Sequence, residues 1–282
     1  MEQTMSSVET FTASDGYAWH YRRYQPEGTP CGSVVCIHGI QSHGGWYAAS
    51  CEYLARAGYR VDFIDRRGSG LNNEARGDAP SFRRLLADIA EFIRAEHPDR
   101  PNLLGISWGG KLAIAFEHFY PGLVRGLALL APGVSSRVGP SAAERMRILA
   151  CRLFVPQRLF PVPLNDPALF TATPRWQAFI RDDPLSLRRA TARLLVESAR
   201  LDFVLRRAVR SVRVPLLLML AGQDRIIDNA RTRAAVECCP TTDRRVIEYP
   251  AAYHTLEFEE DPTPIFADLR AWLDGDRREK IV

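Results

Sequence analysis

The 282-residue chain lacks any apolar run approaching the ~20 residues of a membrane span, which excludes a helical transmembrane segment. Its start, MEQTMSSVETFTASDG, has neither the basic first residues nor the apolar centre of a secretory signal. The six cysteines (Cys31, Cys36, Cys51, Cys151, Cys238 and Cys239) have no metal-ligand spacing, and the last two are adjacent. They read as free thiols, and a reducing cytoplasm is the expected compartment. Net charge is only +4, from 37 basic and 33 acidic residues. That balance calls for no nucleic acid, and none is expected as a partner. There is no internal repeat, no low-complexity stretch and no sign that fixes an oligomeric state. What remains is ordinary globular composition, 46% hydrophobic and 25% charged, long enough for one large domain or a domain with an insertion.

The order of elements narrows the fold. Two alternating runs, Val8 to Ala13 and Tyr17 to Tyr24, flank Ser14-Asp15-Gly16 and predict a β-hairpin. Ser33 to Ile37 is a short continuous apolar run, as expected of a strand buried on both faces. A helix follows over 46–57, closed by Gly58. Then come a strand at 59–64, a helix at 82–96, a strand at 103–106, a helix at 109–119 and a strand at 123–130. Such alternation predicts a doubly wound, mostly parallel α/β sheet with the hairpin at one edge. After Ala131-Pro132-Gly133 the rhythm breaks: residues 133–212 carry no clear strand, and Leu187, Leu194, Leu201 and Ala208 recur every seven residues. The rhythm returns with strands at 214–220 and 245–249 and helices at 230–236 and 263–273. The expected organisation is a core from 1–132 and 213–282, with 133–212 inserted as a helical lid.

One turn carries the chemistry. Gly105-Ile106-Ser107-Trp108-Gly109 joins a strand to a helix, with the serine at the apex and glycines two residues away on each side. A serine hydroxyl is a weak nucleophile until a base takes its proton. Of the six histidines, only His254 lies beyond both Ser107 and the insertion, in a loop after a predicted strand. That is where active-site groups gather in open α/β sheets. Asp224 follows the strand before it and is the candidate to orient the imidazole; the nearby Asp228 is expected to cap the next helix. His38-Gly39-Ile40 ends an earlier strand, so the backbone N–H groups of Ile40 and Trp108 are the candidate oxyanion donors. His38 is then a structural residue of its turn. Together these groups point to acyl transfer.

With those residues in place, the chain resembles the α/β-hydrolase fold serine hydrolases of the monoacylglycerol lipase and lysophospholipase-like (serine aminopeptidase S33-type) branch. His38 to Tyr47 is similar to that branch's HGxGEHxxRY loop, and Asp65-Arg66-Arg67-Gly68-Ser69-Gly70 to its D-x-R-G-x-G turn. Gly105 to Gly110 matches its nucleophile elbow, Ala252-Tyr253-His254 its histidine loop, and Asp183-Pro184-Leu185 echoes a lid motif. The resemblance implies a carboxylic ester hydrolase, a small apolar ester as substrate, and no metal or organic cofactor. A serine at position 107 argues against the haloalkane dehalogenases, which use aspartate there. Gln41-Ser42 replaces the branch's Gly-Glu, Trp46 replaces an arginine, and Trp108 stands where methionine or glutamine is common. These changes extend the expected substrates to aryl, thio- or other small esters. An acyltransferase, thioesterase, peptidase or C–C hydrolase on the same residues stays open, as does a non-catalytic binding protein.

Residues 181–213 hold nine arginines against four acidic residues, a local charge of +5. The arginines fit either the wet face of lid helices or peripheral attraction to an anionic lipid surface.

Overall fold

The computed structural model describes residues 5–275, so residues 1–4 and 276–282 of the two expected core segments lie outside the described residues. In chain order the elements are β1 Met5–Thr12, β2 Ala18–Gln25, β3 Gly32–Ile37, α1 Ala48–Arg56, β4 Tyr59–Ile64, α2 Phe82–Glu96, β5 Asn102–Ile106, α3 Trp108–Phe119 and β6 Gly126–Leu130. They continue with α4 Ala142–Phe154, β7 Leu159–Pro161, α5 Pro174–Asp182, β8 Arg189–Thr191, α6 Ala192–Ala208, β9 Leu216–Ala221, α7 Asn229–Glu237, β10 Arg244–Tyr249 and α8 Thr263–Leu273.

The main sheet has the order β1-β2-β4-β3-β5-β6-β9-β10. Its β1–β2 hairpin sits at one edge; β1–β2 and β2–β4 are antiparallel and every other pair is parallel. Central strands are buried throughout: all six residues of β9, LLLMLA, are buried, as befits a strand covered by helices on both faces. Helix α2 is amphipathic, burying Leu85, Leu86, Ile89, Phe92 and Ile93. It starts where Ser81 Oγ accepts the Arg84 amide at 3.1 Å. Helix α3 is buried along most of its length because the sheet lies on one side and α2 and α6 pack on others.

Between β6 and β9 the chain leaves the sheet to form α4, α5, α6 and a two-stranded ribbon, β7–β8. The ribbon corrects the expectation that 133–212 holds no strand. Each of its strands is three residues long, too short to show a period. The seven-residue leucine repeat also begins later than expected: α6 starts at Ala192, and Leu187 is buried in the preceding turn with its amide bonded to the Gln41 carbonyl. The strand expected at 123–130 starts at Gly126, since Gly122, at φ +82°, and its neighbours form a turn. No helix among the described residues is long and apolar enough to cross a membrane.

Candidate active site

The elbow after β5 owes its shape to three backbones meeting. Ser107 has φ 51° and ψ −120°, a conformation an L-residue rarely adopts. A Cβ at Gly105 would lie 2.7 Å from the Gly109 carbonyl oxygen, and one at Gly109 would lie 2.3 Å from that of Ile37. Only glycine fits at either position. Three backbone bonds pin the apex: the Ser107 amide to the Leu130 carbonyl (3.0 Å), and the Ser107 carbonyl accepting from Gly110 (2.9 Å) and Gly133 (2.7 Å).

The structure brings Ser107, His254 and Asp224 into one line. His254 Nε2 lies 3.0 Å from Ser107 Oγ, and its Nδ1 lies 2.7 Å from Asp224 Oδ2. The other carboxylate oxygen of Asp224 accepts the amides of Ile226 (2.8 Å) and Ile227 (2.9 Å), which fixes its orientation. Neither the carboxylate nor the imidazole is appreciably exposed. Asp228 instead caps α7, accepting the Arg231 amide at 3.0 Å.

His38 is fully buried and engaged elsewhere. Its Nδ1 lies 2.7 Å from the Gly39 carbonyl, which can only accept, and its Nε2 lies 3.2 Å from the Arg66 amide, which can only donate. The ring is therefore neutral with its proton on Nδ1. Burial, reinforced by the Arg66 charge, pushes its pKa down to about 3.

The loop carrying Ile40 is held from below by the turn after β4. Arg66 donates to the carbonyls of Gly39 and Ile40, and Asp65 Oδ1 accepts the Gly44 amide at 2.7 Å. Ser42, where the resemblance has glutamate, accepts both the Gly39 amide and the Tyr47 hydroxyl, each at 3.1 Å. Trp108 opens α3, so its amide has no partner within the helix. Among the described residues neither the Trp108 nor the Ile40 amide donates a hydrogen bond. Both residues line, with Ser107, a cavity of about 540 Å³ roofed by α4 and α6.

Several contacts around the site and between residues 133–212 and the rest of the chain have no local signature in the sequence. The Trp108 indole N–H donates to Ser198 Oγ on α6 at 2.8 Å, and the Arg66 guanidinium stacks over the Trp108 ring. Trp46 in the arginine position donates to Asp183 Oδ2 at 2.7 Å, beside His43 Nε2 at 3.1 Å. Lys111, one turn into α3, reaches Asp202 on α6 at 2.5 Å. A charged residue in the apolar run LAIAF that opens with it was the one available signal for Lys111.

Residues 28–261 match the sequence profile of the family described as serine aminopeptidase, S33. The chain belongs to that family. Among its relatives, a monoacylglycerol lipase of Mycolicibacterium smegmatis is 26% identical, with 97% of this chain and 99% of that protein covered. The human monoglyceride lipase is 27% identical over 92% of this chain and 88% of its own length. A similar fold is found in the crystal structure of Paleococcus ferrophilus monoacylglycerol lipase (TM-score 0.81, 22% identity, 97% and 99% covered). It recurs in a soluble variant of the Saccharomyces cerevisiae monoglyceride lipase in complex with a substrate analog (TM-score 0.82, 19% identity, 97% and 96% covered). These two share the α/β-hydrolase fold with this S33 member.

Proposed function

We propose that this chain is a serine hydrolase cleaving carboxylic esters with mainly apolar acyl chains, with Ser107 as nucleophile, His254 as general base and acid, and Asp224 as its orienting carboxylate. The observation that carries the reading is the continuous hydrogen-bond line from Asp224 through His254 to Ser107, ending in a cavity of about 540 Å³. Ser107 Oγ attacks the ester carbonyl carbon while its proton passes to His254 Nε2. The amides of Ile40 and Trp108 bind the resulting oxyanion. On collapse the C–O bond to the alcohol breaks, and His254 protonates the departing oxygen. Water then attacks the acyl-Ser107 ester, giving its proton to Nε2, and collapse releases the acid and returns that proton to Ser107. The steps draw only on protein groups and water.

The relatives that carry monoacylglycerol lipase and monoglyceride lipase as their names favour a monoacylglycerol or lysophospholipid-like ester. A fluorophosphonate should label the wild type with time and leave Ser107→Ala unlabelled; a folded wild-type protein that resists the reagent defeats the assignment.

In this reading residues 133–212 are a lid over the acyl cavity and the flanking segments are the core. The outer side of α4 exposes Met146, Leu149, Leu153 and Phe154, the last at 83% of its surface. With the arginines of 181–213 nearby, this side fits peripheral contact with an anionic lipid surface. Vesicle co-sedimentation that is indifferent to anionic lipid content and to Phe154→Asp would remove that part. The six unpaired cysteines suit a cytoplasmic, reducing setting.

A further inference from the structure

Lys111 and Asp202 are the two members of an ion pair built into the wall of the substrate cavity. Their settings are unequal. Lys111 stands on α3, a buried core helix, with 9% of its side chain exposed; Asp202 stands on the lid helix α6, with 50% exposed. Lys111 lies four positions after Ser107, which immediately precedes α3, and both line the same cavity. A Cβ at Gly133 would sit 3.2 Å from Lys111 Cε and 3.3 Å from the Ser107 carbonyl, so the lysine stem runs beside the nucleophile's backbone.

A buried ammonium with no counter-charge is costly, whereas a half-exposed carboxylate regains water with little penalty. If the pair opens, the cation stays in the cavity and the carboxylate leaves it. Asp202 also has Arg206 one turn along α6 as an alternative partner. A second cation, Arg145, lines the same cavity, leaving its lining with two positive groups against one negative. The rest of the lining is mainly apolar, including Ile148, Val162 and Leu195.

We infer that Lys111 is an anion-binding, specificity-determining residue, and that the preferred substrates are esters whose chain carries a single carboxylate, which displaces Asp202 from the ammonium. A monoanion takes the place of Asp202 beside the ammonium; a neutral lipid chain leaves Asp202 in place, and a cationic group meets two like charges. This inference rests on the ester hydrolase reading of Ser107.

The test compares kcat/KM for two matched probes, the 4-nitrophenyl monoester of adipic acid and 4-nitrophenyl hexanoate, which differ at the far end of the acyl chain. The adipate-to-hexanoate ratio should fall about tenfold or more in Lys111→Met, the scale of one charge-assisted hydrogen bond. It should persist within about threefold in Lys111→Arg, which keeps the charge. Asp202→Asn, which leaves the ammonium unpaired at some cost in stability, should raise the ratio in protein whose thermal unfolding shows a native fold, and added salt should lower it. A ratio that is the same in wild type, Lys111→Met and Asp202→Asn, with both probes hydrolysed, overturns the inference and leaves the esterase standing. Failure to hydrolyse either probe together with resistance to fluorophosphonate overturns the underlying reading instead.

Discussion

Beneath the cavity, Ser107 is positioned by main chain against main chain: two glycines that admit no side chain, a φ of 51°, and three backbone hydrogen bonds. Above it, α4 buries only Ile148 of its thirteen residues, and residues 133–212 meet the rest of the chain through the buried apolar face of α6 and through side-chain bonds. Among those bonds are Asp183 to His43 and Trp46, Asp78 to Thr191 and Arg193, Trp108 to Ser198, and Lys111 to Asp202. The lower wall leaves no room for variation, because a displaced backbone has nowhere to go. The upper wall can change residue by residue, and Trp46 in the loop after β3, where the resemblance has arginine, still finds a partner across it in Asp183. On the proposed reading, chemistry and selectivity fall to parts of the molecule held by different forces.

Asp224→Asn is expected to give the largest effect on this contrast. Two amides fix one oxygen, so the substituted amide would turn its NH2 toward His254 Nδ1 and stabilise the wrong tautomer. A loss of roughly 10³–10⁴-fold in kcat with little change in thermal stability is expected. A loss under tenfold would show that the lower wall tolerates what the comparison says it cannot. Gly109→Ala comes next: with its Cβ 2.3 Å from the Ile37 oxygen, it should cost about 3 kcal/mol or more in denaturant unfolding. An equally stable variant would mean that the elbow yields.

The smallest effect belongs to the upper wall. Asp183→Asn should cost about 1–3 kcal/mol, by weakening the acceptor for Trp46, His43 and Ser186. Burial alone would raise the Asp183 carboxyl, but hydrogen bonds from His43 and Trp46 outweigh it and hold the group well below the usual carboxylate range. A depressed carboxylate stabilises the fold above its unfolded pKa, and that contribution is lost as pH falls through the folded value. The gap in unfolding free energy between wild type and Asp183→Asn should therefore be full at neutral pH and close progressively below about pH 4. A gap that is constant with pH would remove the carboxylate charge from the account.

The contrast also describes what a reader of the sequence could see. β4, α2 and α8 were expected at their observed bounds because local period and punctuation agree: Gly58 before the strand, Ser81 at the helix cap, Pro262 and Pro264 at the last helix. The elbow was legible because its glycines are steric necessities within five residues. His254 was legible by its order along the chain, although its 3.0 Å approach to Ser107 is a property of the fold. The upper wall was not legible in the same way. β7 and β8 pair three residues each, and Lys111 meets a carboxylate 91 positions away. Such contacts depend on where α6 crosses α3, and nothing adjacent in the chain announces them.

The backbone contortion at position 107 has a further consequence. A residue in that region of dihedral space typically carries about 1–3 kcal/mol of strain, and glycine would relieve most of it. On the proposed role of Ser107, the shortest route to a hardier molecule is thus the single substitution that ends its chemistry, so durability and turnover are opposed at one carbon atom.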